Sequence, residues 1–302
     1  MSRDKVGGFT TPEGRSRFDR VYDEGMRLLP RPAEVHDVPT AFGRVRAYRF
    51  GEGGGGGAPI VLLHGTGGTS VMWRPNVAAL AEKRSVYAID LLGEAGRSEQ
   101  TAPIRGAGDQ AAWLAAVLEG LDIPAAHLVG VSIGGWMACN QAVRAPERVA
   151  SIGLLDPINT LARMSLGLIL RTIPVVLPLT SGWARPRFLS WIDGQGQTPE
   201  DDPVGRVISA GMRDHRAAMP TPAYFTDEEL RSIAVPALVL VAGRSAVHDP
   251  QRALRRAETL IGDVQAELWP NATHAISGQC ADEVNARVLR FVDDVDGRSP
   301  GS

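Results

Sequence analysis

Short apolar runs recur along this chain, each closed by a polar or turn-forming residue. Ile60 to Leu63 ends in His64-Gly65, Ser85 to Ile89 in Asp90, Ala126 to Val131 in Ser132, and Val149 to Leu155 in Asp156. Ala237 to Ala242 and Val264 to Leu268 follow later. Runs of this length without polar alternation fit strands buried on both faces of a parallel sheet. Between them lie helix-like stretches at Val71 to Glu82, Gly108 to Leu121, Gly134 to Arg144, Pro250 to Ile261 and Ala281 to Val292. Alternation of strand and helix predicts an α/β class with a mostly parallel, doubly wound sheet.

The remaining segments are assigned by contrast. Thr11 to Leu29 spaces Phe18, Val21, Tyr22, Met26 and Leu29 as an amphipathic helix, stopped by Pro30 and Pro32. Val38 to Phe50 reads as two short strands turning at Phe42-Gly43, and the glycines at 53–57 as a flexible connection. Residues 157–233 contain no clear strand and are too long for a loop in a compact domain, which predicts a helical insertion capping one end of the sheet. Trp183, Trp191, Met212 and the run Leu166 to Leu179 are expected to form the core of that cap. The expected organisation is an N-terminal helical extension at 1–37, a core at 38–156 and 234–295, the cap at 157–233, and a flexible tail at 296–302.

Composition narrows the function. A formal charge of −2 over 302 residues gives no electrostatic case for nucleic acid or an anionic membrane as partner. The two cysteines, Cys139 and Cys280, cannot staple a scaffold, and Met1 to Gly8 lacks the apolar core of a signal peptide. The run Leu166 to Leu179 is interrupted by Arg171, Pro174 and Pro178 and is too short to span a bilayer. A cytoplasmic protein with a small-molecule substrate is expected. Neither a metal-ligand cluster nor a dinucleotide-binding glycine loop is present in the sequence, so no cofactor is expected.

In parallel sheets the chemistry gathers at the carboxyl ends of the strands. There, Gly130-Val131-Ser132-Ile133-Gly134 is a G-x-S-x-G run between a strand and a helix, where small neighbours let the chain turn sharply and lift a serine oxygen clear of the sheet. Ser132 is the expected nucleophile. The glycine-rich turn His64-Gly65-Thr66-Gly67-Gly68 can aim the Thr66 N–H at the space over Ser132. With the Ile133 N–H it would form an oxyanion hole. Of six histidines, only His274 follows the last strand, where it can take the proton from Ser132.

These residues, with Asp90-Leu91-Leu92-Gly93-Glu94-Ala95-Gly96-Arg97-Ser98, resemble the α/β-hydrolase fold family of the capped, carboxylesterase-like kind over Val38 to Val292. The resemblance implies a Ser–acid–His order, a cap over the sheet and hydrolysis of an ester, lactone or thioester through an acyl-enzyme. Members usually carry the acid three residues after the glycine closing the penultimate strand. Here that glycine is Gly243 and the third residue on is Ala246. Asp249, the only carboxylate of that loop, precedes Pro250 as a helix cap would. Asp156, a position some members use, is the expected acid and Asp249 the alternative. The missing acid at Ala246 leaves open a non-hydrolytic lyase or cyclase, or a catalytically silent ligand-binding protein on the same fold.

Overall fold

The computed structural model describes residues 5–51, 56–177, 180–194 and 202–298. Expectations that touch residues 1–4, 53–55, 178–179 and 299–302 lie outside the described residues. Eleven strands are present among the described residues: β1 (Gly8–Phe9), β2 (Glu34–Thr40), β3 (Gly43–Phe50), β4 (Ile60–Leu63), β5 (Val86–Ile89), β6 (Glu99–Gln100), β7 (Ala126–Val131), β8 (Val149–Leu155), β9 (His215–Arg216), β10 (Ala237–Ala242) and β11 (Val264–Trp269). The central sheet runs in the order β11-β10-β8-β7-β4-β5-β3-β2, with β6 paired to β3. From β5 to β11 every pairing is parallel, while β2, β3 and β6 add antiparallel ladders.

The runs that define the strands are apolar because both faces are covered. Val61 and Leu63 point into one core with Trp113, Trp136 and Ala253. Ile60 and Leu62 point into the other with Phe18, Leu80 and Phe291. In β10 the same alternation sends Val239 and Val241 one way and Leu238 and Leu240 the other. Each fully buried side chain of this size contributes about 1.5–3 kcal/mol relative to exposure. The first core is roofed by α3 (Ala107–Gly120), α4 (Ile133–Arg144) and α9 (Pro250–Leu260), and the second by α1 (Pro12–Met26), α2 (Val77–Ala81) and α11 (Ala281–Gly297).

Several boundaries differ from the sequence reading, each for a local reason. The expected helix at Val71 to Glu82 is a 3₁₀ turn at Ser70–Trp73 followed by α2, with Pro75 between them unable to continue a helix. Strand β2 begins at Glu34 rather than at Val38. Pro39 sits in β2, which closes one edge of the sheet, where a missing N–H breaks no central ladder. Helix α11 continues past Val292 to Gly297 because Val295 is still buried.

The 157–233 insertion carries α5 (Leu166–Val176), α6 (Ser181–Asp193), α7 (Pro203–Asp214), β9 and α8 (Asp227–Arg231). It thus contains one two-residue strand, too short to leave a periodicity, which pairs antiparallel with β1. Helix α1 packs along α7, and its Tyr22 hydroxyl donates to Asp90 Oδ2 at 2.8 Å, so the N-terminal segment binds insertion and core together. Expectation and structure part at the cap core: Trp183 is 53% exposed and Leu166 69% exposed. Periodicity reveals that a helix has an apolar face, but not whether anything covers it.

Candidate active site

Register brings the chemistry together. Val131 pairs with Leu155, so the next residues, Ser132 and Asp156, leave adjacent strands side by side. Leu63 pairs with Gly130, which starts the His64 loop beside the same turn. The Ser132 N–H donates to Leu155 O at 3.1 Å and the Ile158 N–H to Ser132 O at 3.2 Å, tying the serine to the segment that carries Asp156.

The turn at Ser132 is strained, with φ 55° and ψ −116°. A non-glycine residue held there costs about 1–3 kcal/mol and persists only where its surroundings force it. Its neighbours show the force. A Cβ on Gly134 would collide with the Leu63 carbonyl oxygen, and one on Gly130 with the Gly134 backbone. Only glycine at both positions lets α4 start this close to the sheet. Among the described residues Ser132 Oγ has no hydrogen-bond partner.

Asp156, fully buried and also at positive φ, is a hub of donors. His274 Nδ1 donates to Asp156 Oδ2 at 2.6 Å, and the Ser245 hydroxyl donates to the same oxygen at 2.7 Å. The Ala242 N–H donates to Oδ1 at 3.1 Å. His248 Nε2 stands 3.2 Å from Oδ1, buried, without the alignment of a hydrogen bond. Burial alone would raise the Asp156 carboxyl. The pull of His248 and His274 outweighs burial and holds the acid well below the usual carboxylate range. His274 lies in a loop fixed by Gln279, whose Oε1 accepts from the Thr273 N–H at 2.6 Å. Among the described residues His274 Nε2 has no hydrogen-bond partner, and Ser132 and His274 are each 8% exposed.

Asp249, the alternative acid, has its carboxylate elsewhere: Oδ1 accepts from the Arg252 N–H at 3.1 Å as the N-cap of α9. The sequence reading did not anticipate Ser245 and His248 as partners of Asp156. The one signal was their place in the Gly243 to Asp249 loop, where the family's acid usually sits.

The His64 loop lies against the serine, since a Cβ on Gly65 would stand 3.5 Å from Ser132 Cβ. His64 is fully buried and burial pushes it below its ordinary value. Its Nε2 accepts from the Leu91 N–H at 3.0 Å, which assigns the proton to Nδ1, 2.7 Å from Gly65 O. The loop's other N–H groups are occupied: Gly65 donates to Met72 Sδ at 3.3 Å, Gly67 to Glu94 Oε2 at 3.2 Å, and Gly68 to Gly65 O at 2.9 Å. The Thr66 N–H has no hydrogen-bond partner among the described residues. Ile133 is the first residue of α4, where an N–H has no intrahelical acceptor. Two donors therefore remain available beside Ser132.

Glu94 enters the sequence reading only as part of the Asp90 to Ser98 run that carries the family resemblance. Burial pushes its carboxyl up to about 7, with the Gly67 N–H pulling it back part of the way. The folded chain then holds this proton more tightly than the unfolded one. The stabilisation is complete below the ordinary value of 4.5 and is lost as pH rises through about 7. Glu94→Gln keeps an acceptor for Gly67 and removes the titration. Urea denaturation should show little change at about pH 4.5 and a gain of up to about 3 kcal/mol at about pH 8.5. An unchanged midpoint at the higher pH would refute the assignment.

The other candidates sit apart from this chemistry. Asp90 orders its own loop, accepting from the Ser70 and Arg97 N–H groups at 2.8 and 2.7 Å. His127 is buried between Ser151 and Asp296. His215 packs on the Phe9 ring and burial pushes it down to about 4. Cys139 is buried in α4, which pushes its thiol up, and Cys280 is free.

Fold and site together define a class. Residues 60–287 match the Alpha/beta hydrolase family, and the chain belongs to that family. It is similar to carboxylesterase YbfK of Bacillus subtilis (strain 168), 33% identical over 292 residues that cover 94% of this chain and 96% of the relative. The uncharacterized carboxylesterase nap of the same organism is 32% identical over 281 residues, covering 91% and 92%. The crystal structure of naproxen esterase (carboxylesterase NP) from Bacillus subtilis superimposes with a TM-score of 0.84 at 30% identity, over 93% of this chain and 99% of that one.

Proposed function

We propose that this protein is a serine hydrolase of carboxylic esters working through an acyl-enzyme on Ser132. The observation that carries the reading is the 2.6 Å bond from His274 to buried Asp156, beside a serine held in a strained strand-to-helix turn. Its similarity to two carboxylesterases supports the same reaction class.

In this reading Ser132 Oγ attacks the ester carbonyl carbon while His274 Nε2 takes its proton. Asp156 fixes the imidazole with Nδ1 protonated and balances the imidazolium. The N–H groups of Thr66 and Ile133 receive the charge that develops on the carbonyl oxygen. The carbon–oxygen bond to the leaving group breaks, and His274 returns the proton to the departing alkoxide. Water then attacks the acyl-serine by the same route, releasing the acid and restoring the hydroxyl. Among the described residues no hydrogen bond joins Ser132 to His274, and this reading requires that bond to form when substrate arrives, as it does in many enzymes whose unliganded geometry is loose. Met72 and Ile208 flank the His64 loop and favour an apolar acyl group. Lactones and thioesters are within reach of the same chemistry. The insertion at 157–233 acts as the cap, and the free cysteines support a reducing, cytoplasmic setting.

A fluorophosphonate probe tests this. Stoichiometric labelling at Ser132, absent in Ser132→Ala, is the expected result. A folded protein that refuses the label would replace the hydrolase with a lyase or a silent binder. A series of p-nitrophenyl esters of increasing chain length then measures the acyl preference.

A further inference from the structure

Six of the nine exposed large apolar side chains of the described residues lie on one hairpin, α5–α6: Leu166, Ile169, Leu170, Ile173, Leu177 and Trp183. The five on or just after α5 follow helical spacing and form a stripe along one face, opposite the buried Leu168 and Val175. A contiguous apolar patch of this kind marks an interaction surface.

The charge around it says what the surface meets. Residues 157–192 contain four arginines, at 163, 171, 185 and 187, and no acid or lysine. The formal charge of −2 therefore divides into +4 on this stretch and −6 on the remainder. Averaged over the chain, this segregation is invisible, which is why composition gave no case for a membrane. None of the four arginines forms an ion pair among the described residues. Arg171 lies over the Trp191 ring at 4.6 Å and Arg187 over the exposed Trp183 ring at 5.7 Å. A second copy of the chain docking through the same face would set Arg171 and Arg187 against the same two charges. We propose that the α5–α6 hairpin is a docking surface for an anionic lipid membrane, with the apolar stripe seated at the headgroup boundary and the arginines on lipid phosphates.

The hairpin is anchored where docking can matter. The Ser165 hydroxyl accepts from the Leu168 N–H at the start of α5 and donates to Ala246 O at 3.0 Å, while the Ser165 N–H donates to Val247 O at 2.8 Å. The docking element is thus joined to the loop that supplies Ser245 and His248 to Asp156. That the bound enzyme hydrolyses esters from the lipid phase rests on the function proposed above; the docking itself does not.

The full chain carrying Ser132→Ala, which leaves lipid intact, is sedimented with vesicles of equimolar phosphatidylcholine and phosphatidylglycerol, and with phosphatidylcholine alone. Binding is expected to the anionic vesicles, at least tenfold weaker to the neutral ones and weakened by salt. Leu170→Asp with Ile173→Asp should abolish it, and Arg171→Glu with Arg187→Glu should remove the salt-sensitive part. With Ser132 restored, both pairs should hydrolyse p-nitrophenyl acetate at the unmodified rate, showing that the fold is intact. Three outcomes overturn the proposal: protein left in the supernatant with both vesicles, unimpaired sedimentation of the aspartate pair, or a dimer in vesicle-free solution that the aspartate pair dissociates.

Discussion

Replacing Ser132 by alanine is expected to lower turnover of p-nitrophenyl esters by about a million-fold, the scale seen when one member of a concerted nucleophile–base pair is removed. Stability should move by less than about 0.5 kcal/mol, because among the described residues the hydroxyl makes no hydrogen bond whose loss would strand a partner. His274→Ala should cost a similar factor, and the double variant no more than either single one, because the two groups act as a unit. Steady-state kinetics on purified variants, with urea denaturation alongside, reads both quantities. Residual turnover within about tenfold of the parent would mean that the attacking group is another residue or a water molecule.

Asp156→Asn is expected to lower turnover by about ten thousand-fold. The carboxylate accepts from three hydrogen-bond donors, the Ala242 N–H, the Ser245 hydroxyl and His274 Nδ1. An amide offers one oxygen in place of two, so one side meets N–H against N–H and the imidazole loses the group that holds its proton on Nδ1. Some stability is lost as well, about 1–3 kcal/mol for buried donors left unpaired. Asp249→Asn should leave turnover unchanged, since asparagine caps a helix as well as aspartate does. Asp249→Ala should cost about 1 kcal/mol of stability with turnover again unchanged. The opposite pattern, with activity following position 249, would move the acid to the start of α9.

Strands were the most legible part of the sequence. Ile60 to Leu63, Ala126 to Val131, Val149 to Leu155 and Ala237 to Ala242 begin and end where expected, because burial on both faces keeps them almost wholly apolar, the exceptions His127 and Ser151 bonding to each other. Glycines at 130 and 134 announced the turn at Ser132 for an equally hard steric reason. What stayed hidden depends on neighbours far apart in the chain. His248 gains its place beside Asp156 only through the pairing of β8 with β10, and Glu94 becomes a perturbed acid only when the fold removes its water. Likewise the stripe on α5 reads as core until the fold shows its side chains exposed.

The pairing of β1 with β9 has a mechanical consequence. Residues 8 and 9 stitch the far end of α7 to α1, and Tyr22 on that helix is bolted to the Asp90 loop. The α7 flank of the 157–233 segment is thereby riveted to the N-terminal helix, while the α5–α6 flank is held through Ser165. If this segment moves as the proposed cap, it would swing from the riveted flank like a hatch, with its lip on the greasy side that carries Arg171 and Arg187.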